Sequence, residues 1–65
     1  MLPERQKKPG QVCAAYYEED GNWHRAVIAK IIDQNFVECY YVDYGTTATT
    51  TKKNLRLLKL VNLQR

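Results

Sequence analysis

An all-β fold, a strongly bent antiparallel barrel of five short strands, is what this sequence predicts, and three observations predict it. Apolar, aromatic and β-branched residues gather in short runs separated by turn residues. Asp20-Gly21, the strongest short-range hairpin signal, stands between two of those runs. Scarcely any stretch carries a helical period; the exception is Leu57, Leu60 and Val61, whose spacing allows a helix over residues 57–64 in place of a strand end.

Residues 1–9, charged and bounded by Pro3 and Pro9, have no periodicity and are expected to form a mobile leader. The first strand is read over Gln11–Tyr17, and Glu18 to Asn22 turns the chain. Trp23–Asp33 begins by alternating, with His24, Ala26 and Ile28 on one side and Trp23, Arg25 and Val27 on the other. Ile31 and Ile32 then break the parity, which predicts the bulge or bend that a small closed barrel requires. Asp33-Gln34-Asn35 is the next turn, Phe36–Tyr44 the third strand, and Gly45 its end. Thr46–Thr51 suits a strand by its branching, and Lys52-Lys53-Asn54 leads into a closing strand, Leu55–Leu58. The barrel is thus expected over residues 10–60, with a tail at 61–65.

A chain of 65 residues holds one domain with a modest core, too small for a buried cofactor and multi-step chemistry. The formal charge of +3 is unevenly spread. Arg5, Lys7 and Lys8 lie at one end and Lys52, Lys53, Arg56, Lys59 and Arg65 at the other, while residues 12–51 set two cations against six carboxylates. An acidic body between basic ends favours a cationic ligand for the body. The basic residues leave weak contact with RNA as a further reading. No apolar run is long enough to span a bilayer and no signal-peptide pattern opens the chain, so it reads as a soluble intracellular domain without membrane contact. Polar residues close behind Met1 read as the start of a segment cut from a longer protein.

Catalysis and metal binding find little support. There is no serine, His24 is the only histidine, and Cys13 and Cys39 lack the spacing of zinc or redox sites. Both cysteines read as buried and reduced. The aromatic residues carry the functional signal: Tyr16, Tyr17, Trp23, Tyr40, Tyr41 and Tyr44 fall between positions 16 and 44, with Glu18, Glu19, Asp20 and Asp43 among them. Trp23, Tyr16 and Tyr40 are expected to fill the core or cover one mouth. Tyr17, Tyr41 and Tyr44 lie beside turns, where rings at a rim can converge on an organic cation, each giving about 0.5–2 kcal/mol once water is excluded. The carboxylates add long-range attraction.

In four successive pieces the chain resembles a Tudor domain of the multi-Tudor germline proteins: Gly10-Gln11-Val12-Cys13-Ala14-Ala15, Glu19-Asp20-Gly21-Asn22-Trp23-His24-Arg25-Ala26, Tyr41-Val42-Asp43-Tyr44-Gly45 and Leu55-Arg56-Leu57-Leu58. The resemblance implies a five-stranded SH3-like barrel and a non-enzymatic module without cofactor. Its ligand would be methylated arginine, usually the symmetrically dimethylated form on arginine-glycine-rich tails of Piwi-type proteins. It further implies a cytoplasmic germ granule, a ribonucleoprotein body, as the setting. The family's aromatic cage maps onto Tyr17, His24, Tyr41, Tyr44 and Thr46, with His24 where a larger aromatic ring is usual and Thr46 where an asparagine is usual. Histidine offers a smaller ring that repels a guanidinium when protonated, and threonine lacks an amide's paired donor and acceptor. Three readings therefore stand side by side: a methylarginine reader, with methyl-lysine as a variant; a scaffold whose cage has decayed; and an RNA contact. In such proteins a nuclease-like half often flanks the barrel and helps to hold the peptide; here only the barrel is seen, and alone it is expected to be monomeric.

Overall fold

The computed structural model describes residues 2–58. Five strands, β1 (Val12–Tyr17), β2 (Asn22–Ile31), β3 (Phe36–Tyr41), β4 (Thr46–Thr51) and β5 (Leu55–Arg56), form one antiparallel sheet in the order β4-β3-β2-β1-β5. Short 3-10 turns occupy Glu4–Gln6 and Lys52–Asn54. The predicted all-β architecture holds. The expected helix over 57–64 and the tail at 61–65 lie outside the described residues, apart from Leu57 and Leu58, which are in neither strand nor helix.

Two hairpins share one turn geometry. Tyr17 accepts hydrogen bonds from the amides of Asp20 (3.3 Å) and Gly21 (2.9 Å), and Tyr41 accepts from those of Tyr44 (3.1 Å) and Gly45 (2.8 Å). In each loop the fourth residue must take a positive φ, +70° at Gly21 and +69° at Gly45, where glycine carries no steric penalty. Because β3 runs antiparallel to β2, both loops reach the same end of the barrel. The remaining hairpin is closed at the other end by Asp33, whose carboxylate accepts from the amides of Asn35 (2.8 Å) and Phe36 (2.9 Å).

The pleat decides the core. Cys13, Ala15, Ala26, Ile28, Val37, Cys39, Tyr41 and Leu55 face inward and are buried, with Tyr17, Ile31 and Ala48 packed against them. Cys13 and Cys39 are both free and fully buried. The parity break in β2 falls between Ile28 and Lys30, slightly earlier than the Ile31-Ile32 pair suggests. There one extra residue lets the strand bend around a core of small side chains.

Four expectations are corrected. Trp23 and Tyr40 are 39% and 42% exposed, because they share the outward side of the pleat with Tyr16; the Trp23 ring lies tilted against Tyr16, 5.4 Å between centres, and under the Arg56 guanidinium at 4.2 Å. Tyr41, expected at the rim, is 1% exposed, since it follows Val37 and Cys39 on the inward side. The third strand ends at Tyr41 instead of Tyr44, and the closing strand at Arg56 instead of Leu58. Ahead of β1, Leu2 joins the core: it is 1% exposed, and its amide donates to the carbonyl of Leu55 at 3.1 Å.

Candidate functional site

The matched hairpin turns gather rings that are far apart in sequence. Tyr17 closes β1, His24 lies near the start of β2, Tyr41 closes β3 and Tyr44 projects from the β3–β4 loop. Tyr17 is the hub. Its ring centre lies 5.0 Å from Tyr41, 5.5 Å from Tyr44 and 6.2 Å from His24, while His24 and Tyr44 are 4.8 Å apart. Tyr41 forms the buried floor of the group, and Tyr44, half exposed, its outer wall. Thr46 stands opposite Tyr41 in the β3–β4 register and is exposed. All five residues expected at the cage therefore lie at one end of the barrel.

The spacing is tight. A planar cation between two parallel rings requires about 7 Å between ring centres, twice the ~3.5 Å contact distance of carbon atoms. Every pair above falls short of that and all are tilted or edge-on, so the rings pack on one another. A cleft of about 340 Å³ opens nearby, and its lining includes Tyr17, Tyr41, Glu18, Glu19 and Thr50 but neither His24 nor Tyr44.

A carboxylate holds the outer wall in place. Asp20 accepts from the Tyr44 hydroxyl (2.5 Å) and pairs with His24 Nε2 (2.7 Å) through one oxygen, while the other accepts the amide of Asn22 (3.0 Å). The Tyr44 hydrogen bond is the largest cause of a depressed Asp20 pKa, with His24 and the Asn22 amide adding to it against partial desolvation. The same bond raises the Tyr44 pKa. Desolvation, followed by the charge of Glu19, raises that of Tyr17, whose hydroxyl donates to Glu19 at 3.3 Å. Burial pushes the Tyr41 phenol up to about 12.

Asp43 accepts from the Arg25 guanidinium at 2.6 Å. This pair fastens the β3–β4 loop to β2 and neutralises that carboxylate. Asp20 is the participant that the sequence reading misses: expected to act only through long-range attraction, it touches two cage members, His24 and Tyr44. The signal lay in its place four residues before His24 across a tight turn, which brings an aspartate side chain back over the second strand.

A family model for the Tudor domain matches residues 1–64. Tudor domain-containing protein 5 of Rattus norvegicus is 37% identical over 59 residues, covering 91% of this chain and 6% of that relative. Tudor domain-containing protein 1 of Homo sapiens is 37% identical over 49 residues, covering 75% of this chain and 4% of the relative. The chain thus spans a small fraction of these relatives. Among solved structures, an extended Tudor domain of mouse TDRD1 superposes with a TM-score of 0.80 at 30% identity, over 91% of this chain and 30% of that one. The human TDRD1 extended Tudor domain, solved with a symmetrically dimethylated peptide, gives 0.82 at 26% identity over 100% of this chain and 30% of that one.

Proposed function

This chain belongs to the Tudor domain family of non-enzymatic binding modules, and from that premise we propose that it reads methylated arginine. The side chain would enter a cage of Tyr17, His24, Tyr41 and Tyr44, with Thr46 at the edge. The observation that carries this reading is the meeting of three other rings around Tyr17. The binding of a symmetrically dimethylated peptide by human TDRD1's extended Tudor domain supports it. Methylation removes N–H donors and spreads charge, so a methylated head loses less hydration on entering an aromatic box than a bare guanidinium does. The partners proposed on this basis are arginine-glycine-rich tails of Piwi-type proteins within a cytoplasmic ribonucleoprotein granule.

Entry requires the wall to move. Tyr44 and His24 must swing from Tyr17, and Tyr44 must exchange Asp20 for another partner. Tyr44 is a hairpin-loop side chain and makes such a move at low cost, because loops hold few buried contacts; His24, in β2, has only to turn its ring.

The close ring packing favours a second reading, a scaffold whose cage stays shut. Titration of isotope-labelled domain with matched peptides, unmodified and dimethylated, separates the two. Selective resonance shifts at Tyr17, Tyr41 and Tyr44 are expected of the reader. Equal or absent shifts reject it and leave the scaffold.

A further inference from the structure

Among the carboxylates at this end of the barrel, Asp20 differs from its neighbours in what it touches. Asp43 is paired with a guanidinium, and Glu19 is in reach of the Tyr17 hydroxyl at the periphery. Asp20 has a phenol and an imidazole on one oxygen and a backbone amide on the other. Neither an arginine nor a lysine neutralises it among the described residues. Its side chain is 30% exposed and that of His24 18%, so the shared oxygen is partly screened from water.

When Tyr44 and His24 part to admit a ligand, that oxygen loses one or both donors while the Asn22 amide still fixes the carboxylate. A negatively charged acceptor is then left free beside the Tyr44 and His24 rings. Thr46 cannot supply the same contact, because a hydroxyl is neutral and forms weaker hydrogen bonds to a cation than a carboxylate does.

We propose that Asp20 is the specificity-determining residue of the cage: it accepts an N–H from the bound head and so selects methylated cations that keep such a hydrogen, as dimethylarginine does, over the quaternary ammonium of trimethyl-lysine. The proposal rests on the reader assignment. Symmetric dimethylarginine keeps one hydrogen on each guanidinium nitrogen, whereas trimethyl-lysine has none on its charged nitrogen. Rings alone attract both, so aromatic stacking gives little basis for choosing between them.

Two peptides identical except for dimethylarginine or trimethyl-lysine, titrated calorimetrically into the wild-type chain, Asp20→Asn and Glu19→Gln, test it. The amide of the asparagine can still accept from Asn22, which keeps the turn; Asp20→Ser, whose hydroxyl can do the same, carries the same expectation should the asparagine variant not fold. The wild type should prefer dimethylarginine by about tenfold or more, the usual scale of a charge-assisted hydrogen bond. Loss of Asp20 should bring the ratio close to one, mainly through weaker arginine binding, and E19Q should leave it unchanged. Any ease of opening gained by freeing Tyr44 acts on both peptides and cancels in the ratio. An unaltered ratio in the Asp20 variants, or an equal collapse in E19Q, overturns the role of Asp20 while leaving the reader in place. Failure of the wild type to bind either peptide overturns both.

Discussion

The Tyr44 hydroxyl donates to Asp20 at 2.5 Å and so ties together two hairpin loops whose residues stand 24 positions apart. One bond therefore joins the β1–β2 turn to the β3–β4 turn and holds the outer ring against Tyr17. Tyr44→Phe keeps the ring and removes the tie. Its thermal midpoint should fall only slightly, because the bond lies at an exposed rim. Dimethylarginine affinity should rise several-fold, since more of the population would have the wall open. Parallel melting curves and calorimetric titrations of the two proteins check this; weaker binding by the variant would show that the hydroxyl serves the bound state instead.

His24 and Thr46 are the two places where the cage departs from a wholly aromatic box with an amide at its edge. The double variant H24Y/T46N enlarges one ring and supplies the paired donor and acceptor. Methylarginine binding should tighten by about tenfold or more, as expected for one recovered hydrogen bond to a charged partner. A double variant that binds no better than the parent would place the limit in ring packing.

Leu2 is buried among core residues although it precedes two prolines and a run of charge. Leu2→Ala should lower unfolding stability by about 2–4 kcal/mol, the usual cost of emptying a buried leucine site. Urea denaturation monitored by Trp23 fluorescence measures it, and an unchanged midpoint would detach Leu2 from the core.

Asp43 and Asp20 both have folded pKa values held below the ordinary 3.8, Asp43 chiefly by its hydrogen bond to Arg25 and Asp20 chiefly by that from Tyr44. A depressed carboxylate pKa means that the unfolded chain takes up protons first. The stabilisation is therefore fully present above the ordinary value and disappears as pH falls through the lower, folded values. Wild type should lose stability on acidification below about pH 4. Asp43→Asn should be less stable at neutral pH and show a flatter acid profile, the two curves converging at low pH. Denaturation midpoints from neutral to strongly acid solution give the comparison.

Much of the barrel was legible because its turns are written in few residues. Asp20-Gly21, Asp33-Gln34-Asn35 and Gly45 mark all three hairpin loops, and the alternation of His24, Ala26 and Ile28 identifies the inward face of β2. Ring size misled where parity ruled: Trp23 and Tyr40 are large enough to suggest a core, yet the pleat turns them outward and leaves the interior to Ala15, Ala26, Cys13 and Cys39. The same parity sends Tyr41 inward, which its place beside a turn concealed. Leu2 escaped notice because one apolar residue in a charged stretch has no period, and only the location of Leu55 in space gives it a partner. At the cage, residue types could be placed from their spacing, but the contacts of Asp20 required two loops to meet.

β4 is hydrogen-bonded along β3 only, among the described residues, so its other side offers the outward N–H and C=O groups of alternate residues to any extended chain that arrives. Thr46-Thr47-Ala48-Thr49-Thr50-Thr51 has no proline and no charge, the composition that lets identical segments add to one another as growing layers. Lys52 and Lys53 follow at once and act as gatekeepers, since stacking copies would bring like charges together. At high concentration, two lysines at the end of a threonine strand thus oppose edge-to-edge growth.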